Sequence, residues 1–98
     1  PLEGEPVVTK HRISPLLDTE LPTLLRARDA NHLVMLGVAT SGCILSSVRI
    51  AADLDYRITL IEDACADSDS DTHSFLMTKL FPRQCTIATA DALVSALD

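Results

Sequence analysis

The sequence HLVMLGVATSGCILSSVRIAADLDY, residues 32–56, decides the fold. Its first part, residues 32–37, is a short unbroken apolar run that ends in glycine, which is typical of a strand buried on both faces of a parallel sheet. Its last part, residues 44–54, places apolar side chains at helical spacing on one side. A six-residue turn, 38–43, joins them and ends on Cys43. The pattern therefore predicts a strand, a tight turn and a helix, with a cysteine where the helix begins.

The predicted position of Cys43 favours a reactive thiol. A thiol at the start of a helix lies near unpaired backbone N–H groups and the positive end of the helix dipole, and both favour the thiolate. A nucleophile on a turn between strand and helix is also an exposed attacking group. The alternative is a structural cysteine, because free cysteines are usually buried and act as small apolar side chains. Both interpretations stay open at this point.

Composition excludes several classes of protein. Ninety-eight residues with 47% apolar content suffice for one domain, or for part of a larger one. The formal charge of −6 argues against nucleic acid and anionic membranes as main partners. No apolar run approaches the length of a membrane span, and the N-terminus lacks a signal-peptide pattern. The three cysteines are irregularly spaced, which fits a reducing cytoplasm better than a disulfide framework, so we expect a cytoplasmic protein.

Strand and helix patterns alternate along the whole chain. Further strands are predicted at residues 7–9, 57–61 and 85–88, and further helices begin near Thr19, His73 and Thr89. The order βαβαβαβα predicts an α/β fold in three layers, with right-handed crossovers and helices on both faces of a parallel sheet. Four strands and four helices make a thin sheet of this kind, so we expect further strands outside this sequence.

Two residues at predicted strand ends are candidates for a site. Lys10 follows the strand at 7–9, and Asp63 follows the strand at 57–61. Ligands bind in the crevice at the carboxyl ends of parallel strands. The alternatives are a solvated surface lysine and a carboxylate that caps the following turn.

No metal site or cofactor is predicted. His73 has no second His or Cys at metal-ligand spacing, and a capping or surface role is its default. The acidic, serine-rich loop at residues 66–72 lacks the Gly and the terminal Glu of a calcium loop.

Several segments together resemble the isochorismatase-like cysteine hydrolases, a superfamily that includes nicotinamidases and N-carbamoylsarcosine amidohydrolases. The matching segments are GVATSGC at 37–43, AADLDYR at 51–57 and EDACA at 62–66. The segments KHRISP at 10–15 and TEL at 19–21 resemble the part of that family that carries a catalytic lysine. The resemblance covers nearly the whole chain.

The resemblance implies a Rossmann-like α/β domain with a six-stranded parallel sheet, of which residues 1–98 are the carboxyl-terminal part. The first part of that domain, with its first strand, is absent from this sequence. The family's catalytic triad is Asp, Lys and Cys, and here Lys10 matches the lysine and Cys43 the nucleophile. No residue of this sequence matches the aspartate, which we expect before Pro1. The metal ligands of nicotinamidases belong to the same absent part.

The resemblance also implies a cis peptide bond between Val38 and Ala39, with the backbone N–H groups of Ala39 and Cys43 forming an oxyanion hole. The implied function is hydrolysis of a C–N bond in a small amide or carbamoyl substrate, through a thiolate nucleophile and an acyl-enzyme. Ser41-Gly42 favours members similar to the carbamoylsarcosine enzymes over nicotinamidases. Isochorismatase proper is disfavoured, because those members lack the cysteine nucleophile. A homo-oligomer is expected, as is common in the family.

Two other functions stay open. The chain could be an inert half-domain that serves only in folding or in assembly with its missing half. It could also be a redox-sensing thiol protein, in which Cys65 would be the resolving thiol for Cys43.

Overall fold

The computed structural model describes residues 1–97, and the chain is an alternation of helices and strands. The helices are α1 (Leu21–Ala27), α2 (Leu45–Asp53), α3 (Ser70–Phe75) and α4 (Ala90–Leu97), and the strands are β1 (His32–Val38), β2 (Arg57–Ala66) and β3 (Thr86–Ala88). A π-helical turn, Thr40–Ile44, precedes α2, and a second one, Leu76–Leu80, continues α3. Within this range no helix has the length and apolar character needed to cross a bilayer.

The three strands form one sheet in the order β1-β2-β3, and both pairings are parallel. The α/β class, the parallel sheet and the four helices are therefore confirmed. The strand predicted at residues 7–9 is wrong, because the sheet formed by residues 1–97 contains only β1, β2 and β3. Val7 is exposed and follows Pro6, which has no N–H group to donate. Three residues without a pairing partner or an apolar layer do not hold a strand.

The sheet is covered unevenly. Ile58, Thr59, Leu60 and Ile61 of the central strand are all buried. Ile58 and Leu60 belong to the main core cluster together with Val48 and Ala51 of α2, Met77 and Phe81. Helix α4 also contacts β2.

Only one face of β1 is covered by residues 1–97. Leu33 and Met35 pack against the core, whereas Val34, Leu36 and Val38 on the opposite face are 43%, 58% and 71% exposed. The prediction that this strand is buried on both faces is therefore wrong for the described residues. An apolar run predicts that a layer covers each face, but it does not say which part of a protein supplies that layer.

The pairing of β1 with β2 slips at Gly37. Met35 pairs with Leu60, but Gly37 pairs with Cys65, so β2 carries an irregularity between these positions. Gly37 has a φ of 130°, in the region that L side chains rarely adopt. A Cβ at this position would meet only the Ile44 side chain, at 4.0 Å, so there is room for a side chain. The backbone conformation is therefore the reason that glycine is needed here.

We expect Gly37→Ala to lower the free energy of unfolding by about 1–3 kcal/mol, because it forces a side chain into this backbone conformation. Gly42→Ala is the matched control, since a Cβ there would lie 3.9 Å from Ala39 Cβ, at ordinary contact distance, and needs no unusual φ. Urea unfolding of both variants measures the difference. Equal midpoints for the two variants would contradict this account of Gly37.

Candidate active site

Cys43 lies in the π-helical turn that connects β1 to α2. The backbone N–H groups of Gly42 and Ile44 both donate to the carbonyl of Ala39, at 3.1 and 3.2 Å. Helix α2 begins at Leu45, two residues after the thiol. The Val38–Ala39 peptide bond that opens the turn is cis. Cys43 therefore lies where a strand ends and a helix begins, as the sequence pattern predicts.

The Cys43 side chain is half-buried and lines a cavity of about 310 Å³. Most of the wall is apolar, and the cavity residues are Pro15, Leu16, Leu21, Leu25, Leu33, Val34, Met35, Leu36, Cys43, Ile44 and Ser47. Ser47 follows Cys43 by one helical turn, and its hydroxyl is hydrogen-bonded to that of Ser14 at 2.9 Å. A cysteine that lines a cavity is compatible with a reactive thiol.

Two hydrogen-bonded contacts hold the turn on its other side. Thr40 is completely buried, and its Oγ1 lies 2.7 Å from Nδ1 of His73 in α3. The backbone N–H of Ser41 donates to Oδ2 of Asp67 at 2.7 Å, and the Ser41 hydroxyl donates to the same oxygen. Asp67 follows β2 directly, so these hydrogen bonds connect the segment after β1 with the segment after β2.

The contacts with Ser41 lower the pKa of Asp67. Donation from the Ser41 hydroxyl, and then from the backbone N–H groups of Ser41 and Asp69, lowers the pKa of Asp67 from its ordinary 3.8 to about 2. Hydrogen bonds that favour the charged form of a carboxyl always shift its pKa in this direction.

Lys10 lies on the surface, and its Nζ donates to the backbone carbonyl of Arg12 at 3.2 Å. It is not among the residues that line the cavity beside Cys43. Residues 1–97 thus place the predicted nucleophile in a cavity without bringing the predicted lysine into it.

The other sequence candidates have structural partners. Asp63 accepts a hydrogen bond from the backbone N–H of Ala90 at 2.9 Å, so it caps the start of α4 and not the turn that follows it in sequence. Thr89 accepts from Ala92 N–H, as expected for the cap of this helix. Among residues 1–97, no three His, Cys, Asp or Glu side chains are grouped closely enough to hold a metal ion.

Sequence reasoning missed the contacts of Asp67 and His73 with the Cys43 turn. Both residues follow β2, and the rule that ligand-binding residues gather at the carboxyl ends of neighbouring strands could have drawn attention to them. Nothing local pairs Asp67 with Ser41, which lies 26 residues before it, or His73 with Thr40, which lies 33 residues before it.

The two remaining cysteines are less suited to reaction than Cys43. Burial raises the pKa of the Cys85 thiol to about 11. Burial also raises the pKa of Cys65, and a hydrogen bond with the Gly37 backbone offsets only part of this shift. Because disulfide exchange requires a thiolate, a buried Cys65 is a poor resolving thiol, which disfavours the redox-sensing alternative.

Comparison with known proteins decides the family. Residues 1–92 match the family model of the isochorismatase domain. The chain belongs to the isochorismatase family. The resemblance inferred from the segments at 37–43 and 62–66 is therefore confirmed.

Relatives of this isochorismatase-family chain include amidohydrolases. The ureidoacrylate amidohydrolase RutB of Cronobacter sakazakii is 42% identical over 64 residues, which are 65% of this chain and 28% of that protein. The structure of an isochorismatase family protein from Burkholderia thailandensis matches with a TM-score of 0.94 and 31% identity, over 98% of this chain and 50% of that one. N-carbamoylsarcosine amidase from Thermoplasma acidophilum matches with a TM-score of 0.81 and 27% identity, over 93% of this chain and 51% of that one. The chain thus spans about half the length of these solved relatives.

We expect iodoacetamide to alkylate Cys43 of this isochorismatase-family chain about tenfold or more faster than Cys65 and Cys85 at about pH 8, because burial keeps the latter two protonated. Peptide mass spectrometry after timed quenching gives the three rates in one sample, so Cys65 and Cys85 serve as internal controls. Equal rates in the folded protein would contradict the assignment of Cys43 as the most reactive of the three thiols.

Because the pKa of Asp67 is lowered in the folded protein, part of the free energy of unfolding should depend on pH in the acidic range. Its contribution to stability is fully present above the ordinary pKa of 3.8 and is lost as pH falls through the folded-state value of about 2. The difference in free energy of unfolding between the wild type and Asp67→Asn should therefore shrink between about pH 4 and pH 2. Urea titrations across this range measure it, and Ser41→Ala, which removes the main donor, should show the same trend. A difference that does not vary with pH would contradict the assignment.

Proposed function

We propose that this chain is part of a cysteine-dependent hydrolase that cleaves a C–N bond in a small amide or carbamoyl substrate. The observation that carries the proposal is the position of Cys43, a half-buried cysteine in the strand-to-helix turn before α2. Family membership and the amidohydrolase relatives support the same reaction class.

The reaction proceeds in two steps. The Cys43 thiolate attacks the carbonyl carbon, a C–S bond forms, and the C–N bond breaks as the leaving nitrogen takes up a proton and departs as ammonia or an amine. Water then attacks the thioester or thiocarbamate carbon, which releases the acid and returns the thiol. Both tetrahedral intermediates carry an oxyanion, for which the backbone N–H groups of Ala39 and Cys43 are the proposed donors.

Lys10 and an aspartate that precedes Pro1 complete the proposed machinery. An ammonium group beside the thiol stabilises its thiolate, and the aspartate carries the proton to the leaving nitrogen and later takes one from water. In residues 1–97 the Lys10 ammonium is bonded only to the Arg12 carbonyl, so we propose that contacts outside this range direct it toward Cys43.

We propose that residues 1–98 are the carboxyl-terminal part of one domain and that its first part covers β1. The exposed stripe formed by Val34, Leu36 and Val38 supports this, as does the position of β1 at one edge of the sheet. An apolar strand with one bare face and one unpaired edge is what remains when a neighbouring strand and its helix are removed. A homo-oligomer and a cytoplasmic location belong to the same proposal, and the three free cysteines fit a reducing compartment.

We expect Cys43→Ala to abolish release of ammonia, because it removes the sulfur on which the proposed acyl-enzyme forms. The protein is expressed from its complete reading frame and assayed with ureidoacrylate, N-carbamoylsarcosine and nicotinamide. Cys85→Ala, the same change at a cysteine outside the cavity, is the matched control and should keep turnover. Undiminished turnover of Cys43→Ala would rule out the thiol mechanism.

A second candidate function is an inert half-domain that acts only in folding or assembly. The surface position of Lys10, bonded to Arg12 and outside the Cys43 cavity, favours it for residues 1–98 taken alone. The same assay on residues 1–98 and on the product of the complete reading frame distinguishes the two. Turnover by both forms would exclude the inert half-domain, and turnover by neither would favour it.

A further inference from the structure

We propose that Asp67 and His73 are positioning residues for the Cys43 nucleophile. They act through Ser41 and Thr40, the residues two and three positions before the thiol, and this proposal rests on the proposed function. Neither residue is proposed to touch the substrate.

The Cys43 turn is held at both ends by the fold. Before it, β1 is paired to β2 up to Val38 and Ala66. After it, Ile44 and Val48 are buried in the core and fix the first turn of α2. Between these ends, the N–H groups of Gly42 and Ile44 donate to the carbonyl of Ala39, and the side chains of Thr40 and Ser41 connect the turn to other segments.

The Thr40–His73 contact supplies a constraint from inside the protein. Thr40 has no exposed surface, so its hydroxyl must be hydrogen-bonded within the protein, and the Nδ1 of His73 lies 2.7 Å away. His73 belongs to α3, whose start is capped by Asp69 through hydrogen bonds from the backbone N–H groups of Asp71 and Thr72. The Thr40 hydroxyl therefore connects the turn to α3, a helix whose first turn is capped by Asp69.

The Ser41–Asp67 contact supplies a second constraint from the surface side. One carboxylate oxygen of Asp67 accepts from both the backbone N–H and the hydroxyl of Ser41. The other oxygen accepts from the backbone N–H of Asp69 at 3.1 Å, which fixes the carboxylate in its own loop. Hydrogen bonds to an ionised carboxylate are among the stronger ones in proteins, and the backbone N–H of Ser41 fixes the main chain directly.

The two contacts together set the direction of the thiol. They hold consecutive residues from two different structural segments, Thr40 from the inside of the protein and Ser41 from its surface. A nucleophile must be held close to its productive geometry, because small displacements reduce its rate strongly. Removing either contact should therefore slow the reaction of Cys43 while the sheet and the core remain.

The test compares Thr40→Val, Thr40→Ser and Asp67→Ala with the wild type, all expressed from the complete reading frame. Thr40→Val keeps the shape but loses the hydroxyl, Thr40→Ser restores it, and Asp71→Ala is the matched control for an acidic residue in the same segment. The readout is the iodoacetamide rate of Cys43 relative to that of Cys85 in the same sample. Urea midpoints report stability separately, and kcat and KM for ammonia release are measured where turnover occurs.

We expect the relative alkylation rate of Cys43 to fall about tenfold in Thr40→Val and in Asp67→Ala, the factor that corresponds to the loss of one side-chain hydrogen bond. Thr40→Ser and Asp71→Ala should stay near the wild-type rate, and kcat should fall in the first two variants with KM little changed. An unchanged or faster Cys43 rate in both Thr40→Val and Asp67→Ala would overturn the proposal. If the wild type releases no ammonia, the proposed function fails, while the alkylation rates still decide the positioning roles.

Discussion

The parallel pairing of β1 with β2 is the constraint on which the rest of the structure depends. Because the strands run in the same direction, their carboxyl ends lie side by side. The segments that follow the two strands therefore meet there. The Cys43 turn follows β1, and the loop with Asp67 follows β2. The register shift at Gly37 brings Val38 opposite Ala66, so that Ser41 and Asp67 come within hydrogen-bond distance. An antiparallel pairing of the same strands would separate these two segments by the length of the sheet.

The three cysteines illustrate how position decides the chemistry of one residue type. Cys65 lies within β2 in the core, and Cys85 precedes β3 beside it, so burial holds both thiols in the protonated form. Cys43 lies in a turn, where a side chain can line a cavity and still be only half-buried. Cys85 is also half-buried and lines a different cavity, so its place in the strand-to-helix turn, and not exposure alone, distinguishes Cys43.

The sequence predicts well whatever depends on neighbouring residues. The strand, turn and helix at residues 32–54 follow from local periodicity, and so do β3, α4 and the cap of α4 by Thr89. The location of Cys43 in the turn before the helix follows from the same pattern. The error at residues 7–9 has a physical cause, because a short apolar run becomes a strand only when a partner edge and an apolar layer are available.

Contacts between distant segments could not be predicted in this way. The burial of one face of β1 depends on which other segments cover it, and a local run carries no information about that. The partners of Thr40 and Ser41 lie on another loop and another helix, and any of several polar residues at residues 62–73 could have filled these roles. Family resemblance predicts Cys43 as the nucleophile and Lys10 as the lysine of the triad, but the contacts of Asp67 and His73 become visible only in the structure.

The most direct test of the central claim is to look for the covalent intermediate on Cys43. The protein from the complete reading frame is mixed with a substrate that it turns over, quenched in acid within the first turnovers, and digested for peptide mass spectrometry. The account predicts the acyl or carbamoyl group of the substrate on the peptide that carries Cys43, and not on those with Cys65 or Cys85. The account would be contradicted if ammonia were released while Cys43 stayed unmodified at every quench time and the acyl or carbamoyl group were found on another residue.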